Sequence, residues 1–140
     1  MLDVGRGILI FDRRMIFMKA LVFVLNDISK LDELLIELSK NGLRGATIIN
    51  SIGMARSIYK SKSSNTYESI IINSLKALLE SSTSDENKTI FTIVDDVQEK
   101  MFYEVVEKII GPLSKENSGI IFTVPVDSVK GLTKNVTEVK

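Results

Sequence analysis

Apolar residues gather in four short stretches of this chain and recur at three- and four-residue spacing in two longer ones. The short stretches are rich in β-branched and aromatic residues and predict strands, at residues 19–25, 44–51, 88–94 and 120–126. The longer stretches predict two amphipathic helices, one after the first strand and one after the third.

The first predicted helix has one apolar face, formed by Ile28, Leu31, Leu34, Leu35 and Leu38. Asp27 ends the preceding strand and offers an N-cap. Gly42 follows a basic last turn, and a glycine there predicts the C-terminal end of the helix.

The second predicted helix follows the acidic pair Asp95 and Asp96. We assign five of its side chains to the buried face: Val97, Met101, Val105, Val106 and Ile109. The acidic pair could serve acid/base chemistry or a metal ion, but carboxylates at such a junction are far more often helix caps. Gly111 and the proline after it end the helix.

The remaining segments have weaker patterns. Residues 57–66 are rich in serine and lysine without a period, which predicts a mobile loop. An isoleucine triplet favours a strand within residues 69–80, whereas the leucines that follow favour a short helix, and both stay open. Residues 1–17 are interpreted as an upstream extension before a start at Met18, the alternative being an added edge strand at residues 7–11.

The predicted order of elements is β-α-β-β-α-β. With right-handed crossovers, this order predicts an α+β, ferredoxin-like fold with a four-stranded antiparallel sheet and both helices on one face. The other face is then bare, although the strands are apolar on both sides. Oligomerisation would cover it.

Charge and composition exclude several classes of function. Lysine plus arginine equals aspartate plus glutamate, at 18 each, so no net field favours nucleic acid or an anionic membrane. The chain has no cysteine and no histidine, which excludes thiolate chemistry and Cys/His zinc sites and fits a reducing cytoplasm. No run of about 18 uncharged apolar residues predicts a membrane span.

Two blocks of sequence resemble the PII signal-transduction family of nitrogen regulatory proteins. The first block is residues 42–56, and the second is residues 119–129. The resemblance covers residues 18–129, with an excursion at 54–87 in the place of the family's long T-loop and a tail at 130–140. It implies a homotrimer that binds adenine nucleotides between subunits and regulates a transporter or enzyme through the loop.

The resemblance also implies an effector site. Gly45 and Thr47 match positions on the second strand that face the nucleotide cleft, Gly53 and Arg56 match the base of the T-loop, and Gly119 matches the last glycine of the phosphate-cradling turn. A glycine lets backbone approach a phosphate closely, and an arginine offers a fork of donors to its oxygens. The loop residues Tyr59, Lys60, Lys62 and Tyr67 are then expected to contact the partner.

The phosphate-binding side of the pattern departs from the family. This chain has Ile120 where the family has a lysine and Asn117 where it has a glycine. Beyond the fourth strand, Gly131 and Thr133 stand in place of arginines, and Lys130 is the nearest cation. Most of the charge that a triphosphate needs is therefore missing, and the identity of the effector stays open.

The sequence favours a cytoplasmic, non-enzymatic, PII-like homotrimeric regulator with a divergent effector site. The alternative is a binding module of the same fold for a metal ion or another non-nucleotide ligand. RNA binding ranks low because Phe23, Phe91 and Phe122 lie in runs that are expected to be buried. An enzyme such as an acylphosphatase needs a phosphate-loop arginine paired with an asparagine, which this sequence does not display.

Overall fold

The computed structural model describes residues 8–11, 14–60, 73–74 and 86–132. The elements in these ranges are, in chain order, β1 (Ile8–Phe11), β2 (Arg14–Phe17), β3 (Lys19–Leu25), α1 (Leu31–Lys40), β4 (Thr47–Ser51), α2 (Met54–Lys60), β5 (Asn87–Val94), α3 (Asp96–Ile109) and β6 (Gly119–Pro125). A short 3-10 turn, Ile28–Lys30, leads into α1.

Strands β3 to β6 form one antiparallel sheet in the order β4-β5-β3-β6. Strand β3 therefore lies between β5 and β6, and the two outer strands are β4 and β6. Helices α1 and α3 pack on the same face of this sheet, where their buried side chains meet those of β3 and β5. This arrangement is the ferredoxin-like α+β fold that the order of elements predicts.

The hydrophobic core lies between the sheet and these two helices. The sheet contributes Leu21, Phe23, Leu25, Ile90 and Val94, and the helices contribute Leu34, Leu38, Phe102, Val105 and Val106. The rings of Phe23 and Phe102 meet edge to face, with centroids 6.1 Å apart and planes at 87°, a favoured aromatic geometry. The two layers are thus joined at the centre of β3.

Helix α1 ends as its sequence predicts. The Asp27 side chain accepts a hydrogen bond from the amide of Ser29 at the start of the preceding turn. At the other end Gly42 has a φ of +98°, and its amide and that of Leu43 donate to the carbonyls of Ser39 and Leu38. This pair of bonds is a Schellman motif, which needs a left-handed residue at the glycine position.

Helix α3 confirms the cap and corrects the buried face. The Asp95 carboxylate accepts from the amide of Gln98, whose side chain in turn accepts from the Asp95 amide, so the two form a capping box. The prediction for Val97 was wrong, since this side chain is 78% exposed in the first turn. Phe102, which was not assigned inward, is fully buried instead.

The side of the sheet away from α1 and α3 is called here the open face. Alternation along the strands places the following residues on it: Ala20, Val22, Val24, Thr47, Ile49, Ser51, Asn87, Thr89, Phe91, Ile93, Ile120, Phe122 and Val124. None of them is charged. Two aromatic residues predicted to be buried are partly exposed here, Phe122 at 46% and Phe91 at 39%.

Two segments differ from the sequence-based prediction. The strand given as the alternative for residues 7–11 forms as β1, but it pairs with β2 in a separate two-stranded sheet rather than at an edge of the four-stranded one. The first part of the predicted loop, from Ser57 to Lys60, belongs to helix α2. The predictions for residues 61–72 and 75–80 lie outside the described residues.

Candidate functional site

The candidate site lies at the base of the excursion, where β4 ends and β5 begins. Ser51 is the last residue of β4 and pairs with Asn87, the first residue of β5. The chain therefore leaves the sheet and returns to it at two neighbouring positions. Any ligand bound at this pair touches both ends of the segment between them.

Three polar side chains meet on the open face at this point. The Ser51 hydroxyl donates to Oδ1 of Asn87 at 2.5 Å and lies 2.8 Å from the hydroxyl of Thr89. The amide nitrogen of the Asn87 side chain lies 3.8 Å from where a Cβ on Gly53 would stand. The base of the excursion thus presents hydroxyl and carboxamide groups beside a residue without a side chain.

Two cations belong to the same end of the sheet. The ammonium group of Lys88 donates to Oδ1 of Asn50, on the side of the sheet that carries α1 and α3. Helix α2 starts directly after Gly53. Arg56 is its third residue and is half-buried. Lys88 was not singled out in the sequence, and its side chain lies on the face of the sheet opposite to those of Ser51, Asn87 and Thr89.

Gly45 and Thr47 lie toward the opposite end of β4. The carbonyl oxygen of Gly45 accepts a hydrogen bond from the buried hydroxyl of Thr92, which fixes the backbone just before the strand. Thr47 pairs with Phe91 and has an exposed side chain on the open face. Seven residues, five of them in β4, lie between Gly45 and Gly53, so these two glycines cannot share one small ligand directly.

Gly119 has a structural role that the sequence did not reveal. It starts β6 with a φ of +140°, and a Cβ there would lie 2.3 Å from the carbonyl oxygen of Val24 and 2.8 Å from the ring of Phe23. Because β6 approaches β3 so closely here, position 119 has room only for a glycine. The glycine is demanded by packing whether or not a ligand uses it.

The predicted site residues are divided between the two opposite edges of the four-stranded sheet. Gly119 pairs with Leu25, Leu25 pairs with Lys88, and Lys88 pairs with Asn50, so one row crosses the sheet from β6 to β4. Three strand spacings of about 4.8 Å place the two ends of this row roughly 14 Å apart. Within one chain, Gly119 therefore lies at the opposite edge of the sheet from the end of β4, which leads to Gly53.

The predicted partner-binding residues are only partly described. Tyr59 and Lys60 are the last residues of α2. Lys62 and Tyr67 lie outside the described residues.

A second polar cluster joins β3 to α3. The Lys19 ammonium contacts Glu99 at 2.6 Å and Asp96 at 3.1 Å, and the Tyr103 hydroxyl donates to Glu99 at 3.0 Å. The hydrogen bond to Glu99, followed by that to Asp96, raises the pKa of Lys19 above its usual 10.5. Burial, with the bond to Glu99, raises the pKa of Tyr103 above 10.0.

This second cluster is a structural ion pair rather than a pair of reactive carboxylates. Both acids are bound by the same lysine, and the pKa shifts keep that lysine charged and the tyrosine neutral. Within the described ranges, no three acidic, histidine or cysteine residues are grouped to hold a metal ion. In the same ranges, no helix has the length and apolar character to cross a bilayer.

Comparisons with known proteins identify no family. No family model matches the chain, and no curated protein matches it. Among solved structures, the chain is similar to the crystal structure of a functionally unknown protein from Pediococcus pentosaceus, with 12% identity and a TM-score of 0.48. That match covers 85% of this chain and all of the other.

Sequence reasoning missed Ser51, Asn87, Thr89 and Lys88. Three of them carry a signal, since Ser51 ends an apolar strand while Asn87 and Thr89 alternate at the start of another. Their convergence depends on the register of β4 on β5. This register could not be predicted from the sequence, because the long excursion separates the two strands in the chain.

Proposed function

We propose that this protein is a PII-like homotrimeric regulator that binds a small effector between subunits and controls a partner protein through the excursion 54–87. The observation that carries the proposal is the Ser51–Asn87 pair, because both ends of the excursion meet there. A ligand that contacts this pair, Gly53 and Arg56 changes the stability of the excursion's base. The excursion then engages or releases a transporter or an enzyme, without catalysis by this chain.

The charges at the base favour an anionic effector. Arg56 is a cation three residues after Gly53, and the hydroxyls of Ser51 and Thr89 add neutral donors, whereas Lys88 faces the helix side of the sheet. An adenine nucleotide is the first candidate, since its phosphates accept from arginine and its ring accepts and donates hydrogen bonds. With Ile120 in place of a lysine, a mono- or diphosphate needs fewer cations than a triphosphate does.

The proposal is tested by isothermal titration of the full chain with ATP, ADP, AMP and cyclic adenine nucleotides. Micromolar binding is expected for one of them, at least tenfold weaker in Arg56→Ala. Arg44→Ala is the matched control, because Arg44 is exposed before the other end of β4, and it should leave the affinity unchanged. An equal loss in both variants would show that general charge, rather than the base of the excursion, attracts the ligand.

The regulatory step has a separate readout. Limited trypsin digestion should cut at Lys60 and Lys62 at a rate that changes several-fold when the bound nucleotide is added. Binding with no change in the cleavage rate would contradict control through the excursion. No binding of any adenine nucleotide would favour the second candidate, a module of the same fold for a non-nucleotide anion held by Arg56.

A further inference from the structure

The end of α1 carries a pair of residues with its own chemistry, Asn41 and Gly42. Both residues are exposed. The backbone nitrogen of a glycine can attack the carboxamide carbon of a preceding asparagine, because a glycine has no side chain to hinder the approach. Of the eight asparagines in the sequence, only Asn41 is followed by a glycine. The sequence therefore singles out one carboxamide as the most reactive.

The folded helix cap keeps the two reacting groups apart. The Gly42 amide donates to the carbonyl of Ser39 at 3.1 Å, and the side-chain nitrogen of Asn41 donates to the carbonyl of Glu37 at 2.8 Å. The ψ angle of Asn41 is 10°, which turns the Gly42 nitrogen away from the Asn41 side chain, whereas ring closure needs the two eclipsed. Both hydrogen bonds and this ψ angle must change before the nitrogen reaches the carboxamide carbon.

The opening that the reaction needs is confined to the last turn of α1. Helix ends fray, and they open at a much lower free energy than the core does. The residue that resists fraying is Leu43, whose amide donates to the carbonyl of Leu38 at 3.0 Å. Both leucine side chains belong to the buried core, as is common for this kind of cap. Leu43 therefore controls how often the cap opens.

We propose that Asn41 is a modification site, at which the chain deamidates through local opening of the α1 cap. The Gly42 nitrogen loses its proton and bonds to the carboxamide carbon of Asn41, while the bond from that carbon to Nδ2 breaks and ammonia leaves. Water then opens the resulting succinimide at either carbonyl, which gives aspartate or isoaspartate at position 41. The inference does not depend on the proposed effector or on a partner protein.

The product fits the cap less well than asparagine does. It has no side-chain N–H to donate to the carbonyl of Glu37, and it places a negative charge at the C-terminal end of the helix dipole. The Glu37 carboxylate, one turn earlier, adds repulsion between like charges. Isoaspartate also inserts one extra carbon into the backbone just before the Gly42 amide. Deamidation should therefore loosen the connection from α1 to β4.

Peptide mapping of the aged full chain tests the site. The chain is kept folded at pH 8.5 for several days and then cut by an endoproteinase that cleaves after lysine, which releases residues 41–60 as one peptide. This peptide also contains Asn50, an exposed residue of β4, as an internal comparison. Mass spectrometry should find the amide-to-acid change at Asn41 and an unchanged Asn50. The variant Asn41→Gln should remove this product.

Two further rates test whether the cap controls the reaction. Deamidation of Asn41 should be at least about fivefold faster in urea, where the cap is absent, than in the folded chain. In the folded state Leu43→Ala should accelerate it several-fold. Ile121→Ala is the matched control, because Ile121 packs against the core from β6, the outer strand at the edge opposite to β4. Urea midpoints of both variants show how far each lowers global stability.

Three results would overturn the inference. Equal rates in the folded and the unfolded chain would show that the cap gives no protection. An unmodified Asn41 in the folded chain, beside rapid reaction in urea, would show that the cap does not open locally. Equal acceleration by Leu43→Ala and Ile121→Ala would place the reaction in the globally unfolded chain. The effect of the product is measured with Asn41→Asp, whose urea midpoint should fall below that of Asn41→Ala, and equal midpoints would contradict the role of the charge.

Discussion

At the scale of single residues, Gly119 illustrates how one position can satisfy two demands. The resemblance to the PII family matches it to a phosphate-cradling turn, and the structure gives it a packing role against Val24 and Phe23. A Cβ there meets backbone, which cannot move aside as the end of a flexible side chain can. Loss of ligand binding in a Gly119 variant therefore needs a stability measurement beside it.

Gly119→Ala is expected to lower the free energy of unfolding by roughly 2–4 kcal/mol, from the strain of positive φ and the clash with β3. Urea unfolding followed by circular dichroism measures this change. Gly45→Ala is the matched control, since a Cβ there meets nothing within 4 Å, and its effect should stay within about 0.5 kcal/mol. Equal stability of the two variants would show that β6 relaxes away from β3.

The buried face of α3 shows what residue patterns reveal. Phe102, Val105, Val106 and Ile109 have the i, i+3, i+4, i+7 spacing of one helical face. Counting from Val97 instead placed an exposed residue inside the core. The spacing was present in the sequence, but Phe102 was not assigned to it, and Val97 lies in the exposed first turn, two residues after the Asp95 cap.

At the scale of elements, two lysines form ion pairs between packed elements that are distant in the chain. Lys19 ties the start of β3 to the first turn of α3, and Lys108 of α3 contacts Glu37 of α1 at 2.8 Å. The bond from Lys108 lowers the pKa of Glu37 below its usual 4.5. The Lys108–Glu37 ion pair therefore contributes fully to stability above about pH 4.5. This contribution is lost at lower pH, as the Glu37 carboxylate of the folded protein becomes protonated.

The Lys19 cluster should limit stability in alkali. Lys19 and Tyr103 both have a pKa raised above their usual 10.5 and 10.0, so the unfolded chain releases these protons first as the pH rises. Their contribution is complete below about pH 10 and is lost as the pH passes through the folded pKa values. Urea midpoints at pH 8 and pH 11.5 should differ less in Lys19→Met/Tyr103→Phe than in the unmodified chain.

Lys100→Met is the control for this experiment, because Lys100 is an exposed lysine on the same helix. It should retain the full alkaline loss. An unchanged alkaline loss in the double variant would place the pH sensitivity elsewhere in the chain.

Short elements account for the parts of the chain that the sequence did not predict. Strand β3 and helix α1 have long apolar patterns with clear stops, and both form where predicted. Helix α2 has seven residues, too few to display a helical period, and was predicted as loop. The hairpin of β1 and β2 is made of two strands of four residues each, which give little pattern to read.

At the scale of the whole molecule, the fold follows from the order of elements and the site does not. The order β-α-β-β-α-β with right-handed crossovers leaves few topologies, so the ferredoxin-like sheet could be predicted. The meeting of Ser51 with Asn87 depends on a register set across the long excursion. The separation of Gly119 from Asn50 at the end of β4 by the width of the sheet can be recognised only when the strand order is known.

The position of β4 as an outer strand, with Ile48 and Ile49 exposed on opposite faces of the sheet, also has a kinetic consequence. A strand held by one neighbour opens at a lower free energy than one held by two, so β4 should detach and re-pair many times for each global unfolding event. Hydrogen–deuterium exchange should therefore label residues 47–51 well before residues 19–25. If another subunit of the proposed trimer covers β4, dilution that separates the subunits should speed exchange in β4 and leave the centre of β3 slow. The exchange rate of β4, the strand that leads into the excursion, would then show whether the assembly is intact.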